Sequence, residues 1–119
     1  MRALAVALLL ALAFPAHAES IRVIDGDTFM WGSERVRIEN IDAPEIEGKC
    51  DYERRLAQDA KRELGRLLFS GQVELRRIPR KDRYGRTLAK VSVNGQDVGQ
   101  AMIAKQVARP WRGKREPWC

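Results

Sequence analysis

The first apolar feature is an unbroken run over residues 3–14, with Met1-Arg2 before it and Pro15-Ala16-His17-Ala18 after it. A basic start, an apolar stretch and small residues at 16 and 18 predict a secretory signal peptide over residues 1–18. The run is shorter than the ~20 residues that a membrane span needs. Beyond it the apolar positions alternate. Ile21 and Val23 predict a strand over 20–24, Asp25-Gly26-Asp27 a turn, and residues 28–31 a second strand. Gly32-Ser33 makes another turn, and residues 35–41 a third strand whose alternation breaks near its end, which suits a bulge. Pro44 then takes the chain out of the sheet.

The period changes over residues 51–69. Leu56, Ala60, Leu64, Leu67 and Leu68 recur at three- and four-residue spacing, which predicts an amphipathic helix with Asp51 as N-cap and Ser70-Gly71 as its stop. Val73, Leu75 and Ile78 predict a strand that ends at Pro79. A basic stretch follows over 80–86, then a strand over 87–93. Asn94-Gly95 is a two-residue hairpin turn, because both of its positions need positive φ. Asp97 can cap a short helix running to Gln106, with Val98, Ala101 and Met102 inward, and the tail from Val107 reads as irregular. About five strands and two helices in residues 19–119 predict one domain, a small barrel with helices laid against it.

Composition narrows the chemistry. The single histidine, His17, falls within the expected signal peptide. A mature chain without histidine excludes Ser-His-Asp and Cys-His catalysis, an imidazole base and a His-ligated metal. Two cysteines are too few for a structural zinc site. Carboxylates, arginines, lysines, hydroxyls or a hard metal ion remain. In an exported protein Cys50 and Cys119 suit a disulfide, which would close a loop of about 70 residues and stabilise by roughly 4 kcal/mol in the chain-entropy model. Intermolecular pairing or two free thiols are the alternatives.

Charge is divided along the chain. Residues 19–59 hold 11 acids and 6 bases, whereas residues 60–119 hold 5 acids and 15 bases. Sixteen of the 22 basic residues in the whole sequence are arginine, whose planar fork matches phosphate oxygens. The division suits an acidic segment that holds a cation beside a basic one that attracts nucleic acid. The acids nearest to turns are Asp25, Asp27, Asp42 and Glu45. Asp25-Gly26-Asp27 is not an EF-hand, since the twelfth position of such a loop would be Val36 rather than glutamate. Arg35 and Arg37 alternate with Val36 and Ile38, and so point away from the face those two bury.

Taken together and in order, VIDGDT at 23–28, RIENIDAPE at 37–45 and DRYGRTLA at 82–89 resemble the staphylococcal nuclease (thermonuclease) family. The likeness runs over about residues 20–107. It implies an α+β OB-fold, a five-stranded barrel with two main helices. It also implies calcium-dependent hydrolysis of DNA and RNA phosphodiesters, with little sugar specificity and 3′-phosphate products. By the same resemblance Asp27 and Asp42 are calcium-binding carboxylates, with the backbone carbonyl of Ala43 beside them. Arg37 and Arg86 bind the reacting phosphate, Glu45 activates water, and Arg83 and Tyr84 contact another phosphate of the nucleotide. The family commonly continues into a third helix, where this sequence reads RPWRGKREPWC; Trp111 is the best candidate there for stacking on a base. The expected protein is an exported, periplasmic or secreted monomer that is free of the membrane after signal cleavage. The competing readings are an OB-fold module that binds nucleic acid without cleaving it, and a calcium-binding surface protein. The second leaves the basic half unexplained.

Overall fold

Alternation carries the apolar positions into one sheet. The computed structural model describes residues 19–119, so the signal peptide expected over 1–18 lies outside the described residues. Three antiparallel strands come first: β1 (Ile21–Asp25), β2 (Thr28–Trp31) and β3 (Glu34–Ile38). A short β4 (Ile41–Asp42) leads toward helix α1 (Asp51–Leu68). Then follow β5 (Val73–Lys81), β6 (Thr87–Val93), β7 (Gln96–Asp97), helix α2 (Val98–Ala104) and β8 (Arg109–Pro110).

The main path is β1-β2-β3-β6-β5, antiparallel except where β3 meets β6 in parallel. Among the described residues no ladder joins β1 to β5, so hydrogen bonding does not close the barrel. The result is an α+β OB fold in its partly open form. Helix α1 packs on β1 and α2. The core gathers Phe29, Val36, Ile38, Leu64, Leu68, Val91 and Met102, all essentially without solvent contact.

Several local expectations change. Strand β5 does not end at Pro79 but continues to Lys81. It is an edge strand with a register shift between Arg77 and Lys81, where the absent proline N–H costs no ladder bond. The broken alternation after Ile38 marks the end of β3 rather than a bulge; the register shift lies in β1, between Val23 and Asp25. The N-cap of α1 is Cys50, with no side-chain cap, and Asp51 stands in the first turn beside Glu53, where acids favour the helix dipole. The tail is not wholly irregular, because β8 pairs with β4. The Asn94-Gly95 turn forms as the sequence implies, with φ of 51° and 80°. Asp97 caps α2 by accepting the amide of Gln100, though the helix ends at Ala104.

Three contacts lock this arrangement. Gly26, in the turn between β1 and β2, lies so close to α1 and the segment after β4 that a Cβ there would come within 2.6 Å of the Ala60 Cβ and 2.9 Å of the Ala43 Cβ. Glu34 joins three strands, accepting from the Arg77 guanidinium at 2.7 and 3.0 Å and from the Thr87 hydroxyl at 2.7 Å. Those hydrogen bonds, the arginine's first, lower its carboxyl from 4.5 to about 2. The sulfurs of Cys50 and Cys119 are joined, with Cα atoms 6.0 Å apart, which fastens the tail to the start of α1.

Gly26→Ala should therefore lower stability by ~1–3 kcal/mol, as overpacked sites do, read as a lower thermal midpoint. Glu34 stabilises the fold above pH 4.5, and that contribution is lost as pH falls toward 2. Glu34→Gln should accordingly show a shallower loss of stability across this window, measured by urea unfolding at each pH.

Candidate active site

The turn after β1 presents two aspartates in different surroundings. Asp27 is 3 % exposed; one oxygen accepts from the Thr28 hydroxyl at 2.9 Å, and the other from the Ala43 amide at 3.2 Å. The Asp27 carbonyl also accepts the Ile38 amide at 2.8 Å, tying the turn to the end of β3. Asp25 accepts the Asp27 amide at 3.1 Å. Burial and then the neighbouring Asp27 charge push the Asp25 carboxyl up to about 6.

Asp42, on β4, is 2 % exposed. Its Oδ2 lies 3.6 Å from the Arg109 guanidinium, while its Oδ1 is buried with no hydrogen-bond partner. Burial raises this carboxyl, Arg115 opposes the rise, and the charge of Asp27 adds to it. Crowded buried carboxylates with one orphaned oxygen are the donor set that a hard cation relieves. No group of three His, Cys, Asp or Glu side chains assembles among the described residues. Asp27 and Asp42 thus fit a partial shell, and the remaining places of a six- to eight-oxygen calcium sphere would fall to carbonyls such as that of Ala43, to water and to phosphate.

Arg37 departs from the outward position that its alternation suggested, for it is 7 % exposed. Its guanidinium donates to the carbonyls of Ile38 at 2.6 Å and Ile41 at 2.9 Å, and lies 3.7 Å from Asp27. Two donors are thereby spent of the five the fork carries. The turn from β3 into β4 wraps around the side chain, which explains why three successive residues of β3 are buried. Arg86, just before β6, donates to Asp82 at 2.7 Å and to the Thr28 hydroxyl at 3.3 Å. Asp82 also accepts the amides of Tyr84 and Arg86, both at 2.9 Å. Burial would raise the Asp82 carboxyl, but the amide and guanidinium of Arg86 outweigh it and hold it below the usual range.

Arg37, Glu45, Arg83, Tyr84, Arg86 and Trp111 all line one cleft of about 1000 Å³. Arg83 lies over the Tyr84 ring at 4.8 Å and donates to its hydroxyl at 2.6 Å. Trp111 is 38 % exposed and stands 5.0 Å from the Arg37 guanidinium, so part of its face meets a cation. Neither Asp27 nor Asp42 is among the lining residues: Asp27 lies against Arg37, and Asp42, next to the Ile41 carbonyl that Arg37 bonds, lies against Arg109.

Three participants escaped the reading of the sequence. Glu53, on the buried face of α1, accepts the amides of Glu45 and Lys49, both at 3.1 Å, and so fixes the loop that carries Glu45. A carboxylate among the apolar positions of α1 was the available signal, since glutamate is rarely buried unless it is bonded. Arg109 reaches Asp42, and Arg115 forms an ion pair with Glu45. Nothing in the spacing of the tail announces either contact.

Comparison with known proteins gives the chain a family. The family model described as "Staphylococcal nuclease homologue" matches residues 35–117, which take in Arg37, Asp42, Glu45 and Arg86. The chain is 33 % identical over 94 residues to Endonuclease YncB of Bacillus subtilis (strain 168), covering 74 % of this chain and 44 % of that protein. It has the same identity, over the same length and share of this chain, to the SPbeta prophage-derived endonuclease YokF of that organism, covering 32 % of it. The chain thus spans less than half the length of the curated relatives it matches. A match across most of the described residues, enclosing the cleft arginines and the loop of Glu45, makes the chain a member of the staphylococcal nuclease family.

Proposed function

We propose that this protein is an exported, calcium-dependent nuclease that hydrolyses phosphodiester bonds of DNA and RNA and leaves 3′-phosphate products. The observation that carries the reading is the convergence of Arg37, Arg86 and Glu45 on one cleft, with Asp27 buried against Arg37 and Asp42 buried on the short strand that follows. Likeness to two endonucleases supports the reaction class. The apolar run at residues 3–14 and the joined cysteines support an oxidising, extracytoplasmic location.

Hydrolysis builds negative charge on a five-coordinate phosphorus, so donors must be aimed at the phosphoryl oxygens beforehand. Arg37 and Arg86 meet that need from different segments, each braced by protein acceptors and each permanently charged. Glu45 takes the proton from the attacking water, whose oxygen bonds to phosphorus as the P–O5′ bond breaks, and the departing 5′-oxygen takes a proton from solvent. A calcium ion held by Asp27, Asp42 and the Ala43 carbonyl would supply Lewis-acid polarisation of a phosphoryl oxygen. Arg83 and Tyr84, at the exposed rim, receive a neighbouring phosphate, and Trp111 offers a face to a base. All of these contacts address backbone and base faces rather than sugar identity, which suits weak discrimination between DNA and RNA.

Arg37→Ala and Arg86→Ala should each lower kcat by about 10²-fold or more, and Glu45→Gln by about 10²–10⁴-fold. Circular dichroism should be unchanged in Arg86→Ala and Glu45→Gln, whereas Arg37→Ala, which leaves the Ile38 and Ile41 carbonyls without their donor, should also lower the thermal midpoint. If all three variants digested plasmid at the wild-type rate, the assignment would fall. Digestion of plasmid and RNA should stop in EGTA and resume on adding calcium. Undiminished cleavage in the chelator would remove the metal from the reading, while retained binding without any cleavage would identify a binding module instead.

A further inference from the structure

The tail after β8 contributes to the cleft in a way that neither the family match nor the likeness to endonucleases assigns. Arg109 donates to the carbonyls of Glu116 and Pro117, and its guanidinium stacks 3.8 Å from the Trp118 ring centre. Arg112 pairs with Glu116 at 3.3 Å, and Gly113 turns the chain with φ of +86°. Cys119 is bonded to Cys50. These contacts fold the tail back so that Trp111 and Arg115 join the residues lining the cleft, with Arg115 beside Glu45.

Among the six arginines that line the cleft, the three nearest to the assigned chemistry differ in what restrains them. Arg37 is buried and braced by two carbonyls, and Arg86 is held by Asp82. Arg115 has one partner, Glu45, and both side chains are about half exposed. A solvent-screened pair of this kind is weak, so an incoming phosphodiester can take over the guanidinium without a large penalty. The exchange also frees the Glu45 carboxylate. Resting on the nuclease reading of the same cleft, we propose that Arg115 is a substrate-binding residue. It contacts a phosphate next to the scissile one, and the Cys50–Cys119 disulfide keeps it in reach.

The test uses the oxidised protein and a short fluorescent single-stranded DNA, with binding followed by anisotropy in EGTA and cleavage in calcium. Arg115→Ala should weaken binding and raise KM by about tenfold, as loss of one charge-assisted contact does, with little change in kcat. The slope of log affinity against log salt should fall by about 0.7, the share of one single-strand phosphate. Arg115→Lys should recover most of the affinity. Lys114→Ala, which removes the same charge from an exposed position of the same tail outside the cleft lining, should change binding by less than about twofold. Cys119→Ser, or reduction with dithiothreitol, should reproduce the Arg115→Ala defect, and adding Arg115→Ala to Cys119→Ser should worsen it little.

Unchanged binding and salt slope in Arg115→Ala would overturn the proposal. A rise in kcat/KM would overturn it too, since it would make the tail an inhibitory plug. Full additivity with Cys119→Ser would refute the role of the disulfide. A wild-type protein that binds but does not cleave would defeat the nuclease reading alone, because the anisotropy comparison still decides the part played by Arg115.

Discussion

Burying a guanidinium is costly unless its donors are satisfied, and the local architecture around Arg37 meets that demand. The chain turns at Glu39-Asn40 so that the carbonyls of Ile38 and Ile41 both face the side chain, with Asp27 close behind. That turn ends β3, starts β4 and delivers Asp42 to the interior. It also brings Ala43 within reach of Asp27, whose carboxylate accepts its amide. Gly26 allows the same crowding, since no side chain fits between the first turn, α1 and residue 43. One buried cation thus organises three segments, and the negative groups beside it are the ones a metal ion would also use.

The disulfide plays a comparable part for the rim. A domain of this size has a limited core, and its most irregular segment would gain little from packing alone. Linking Cys119 to Cys50 removes that freedom and sets the tail beside the loop of Glu45. Glu53 holds that loop from the other side through two backbone amides. The glutamate is therefore placed by a helix carboxylate below and faced by a tail arginine above. Neither feature belongs to the strands that define the fold.

Much of the architecture was legible because alternation and helical period are local. Strands β1, β2 and β6, helix α1 and the Asn94-Gly95 turn follow from side-chain spacing and from positive-φ positions, which do not depend on distant partners. Pro79 misled because its effect depends on whether a strand is central or at an edge, and that is a property of the sheet. Arg37 misled for a related reason. Period two assigns it to the face opposite Val36, but whether that face meets water or a folded turn depends on residues 39–42.

By itself, the sequence determined the longer elements, the division of charge and the set of residue types open to chemistry. The three ordered motifs added the family. Tertiary structure decided what distance in the chain conceals: which arginines are braced and which is held only by a screened partner, which aspartate oxygen is left without a donor, and where the tail lies. The physical reason is that propensity and period act over a few residues. Desolvation and ion pairing depend instead on groups brought together from 27, 42, 86 and 115, and their strength is set only when water has been excluded between them.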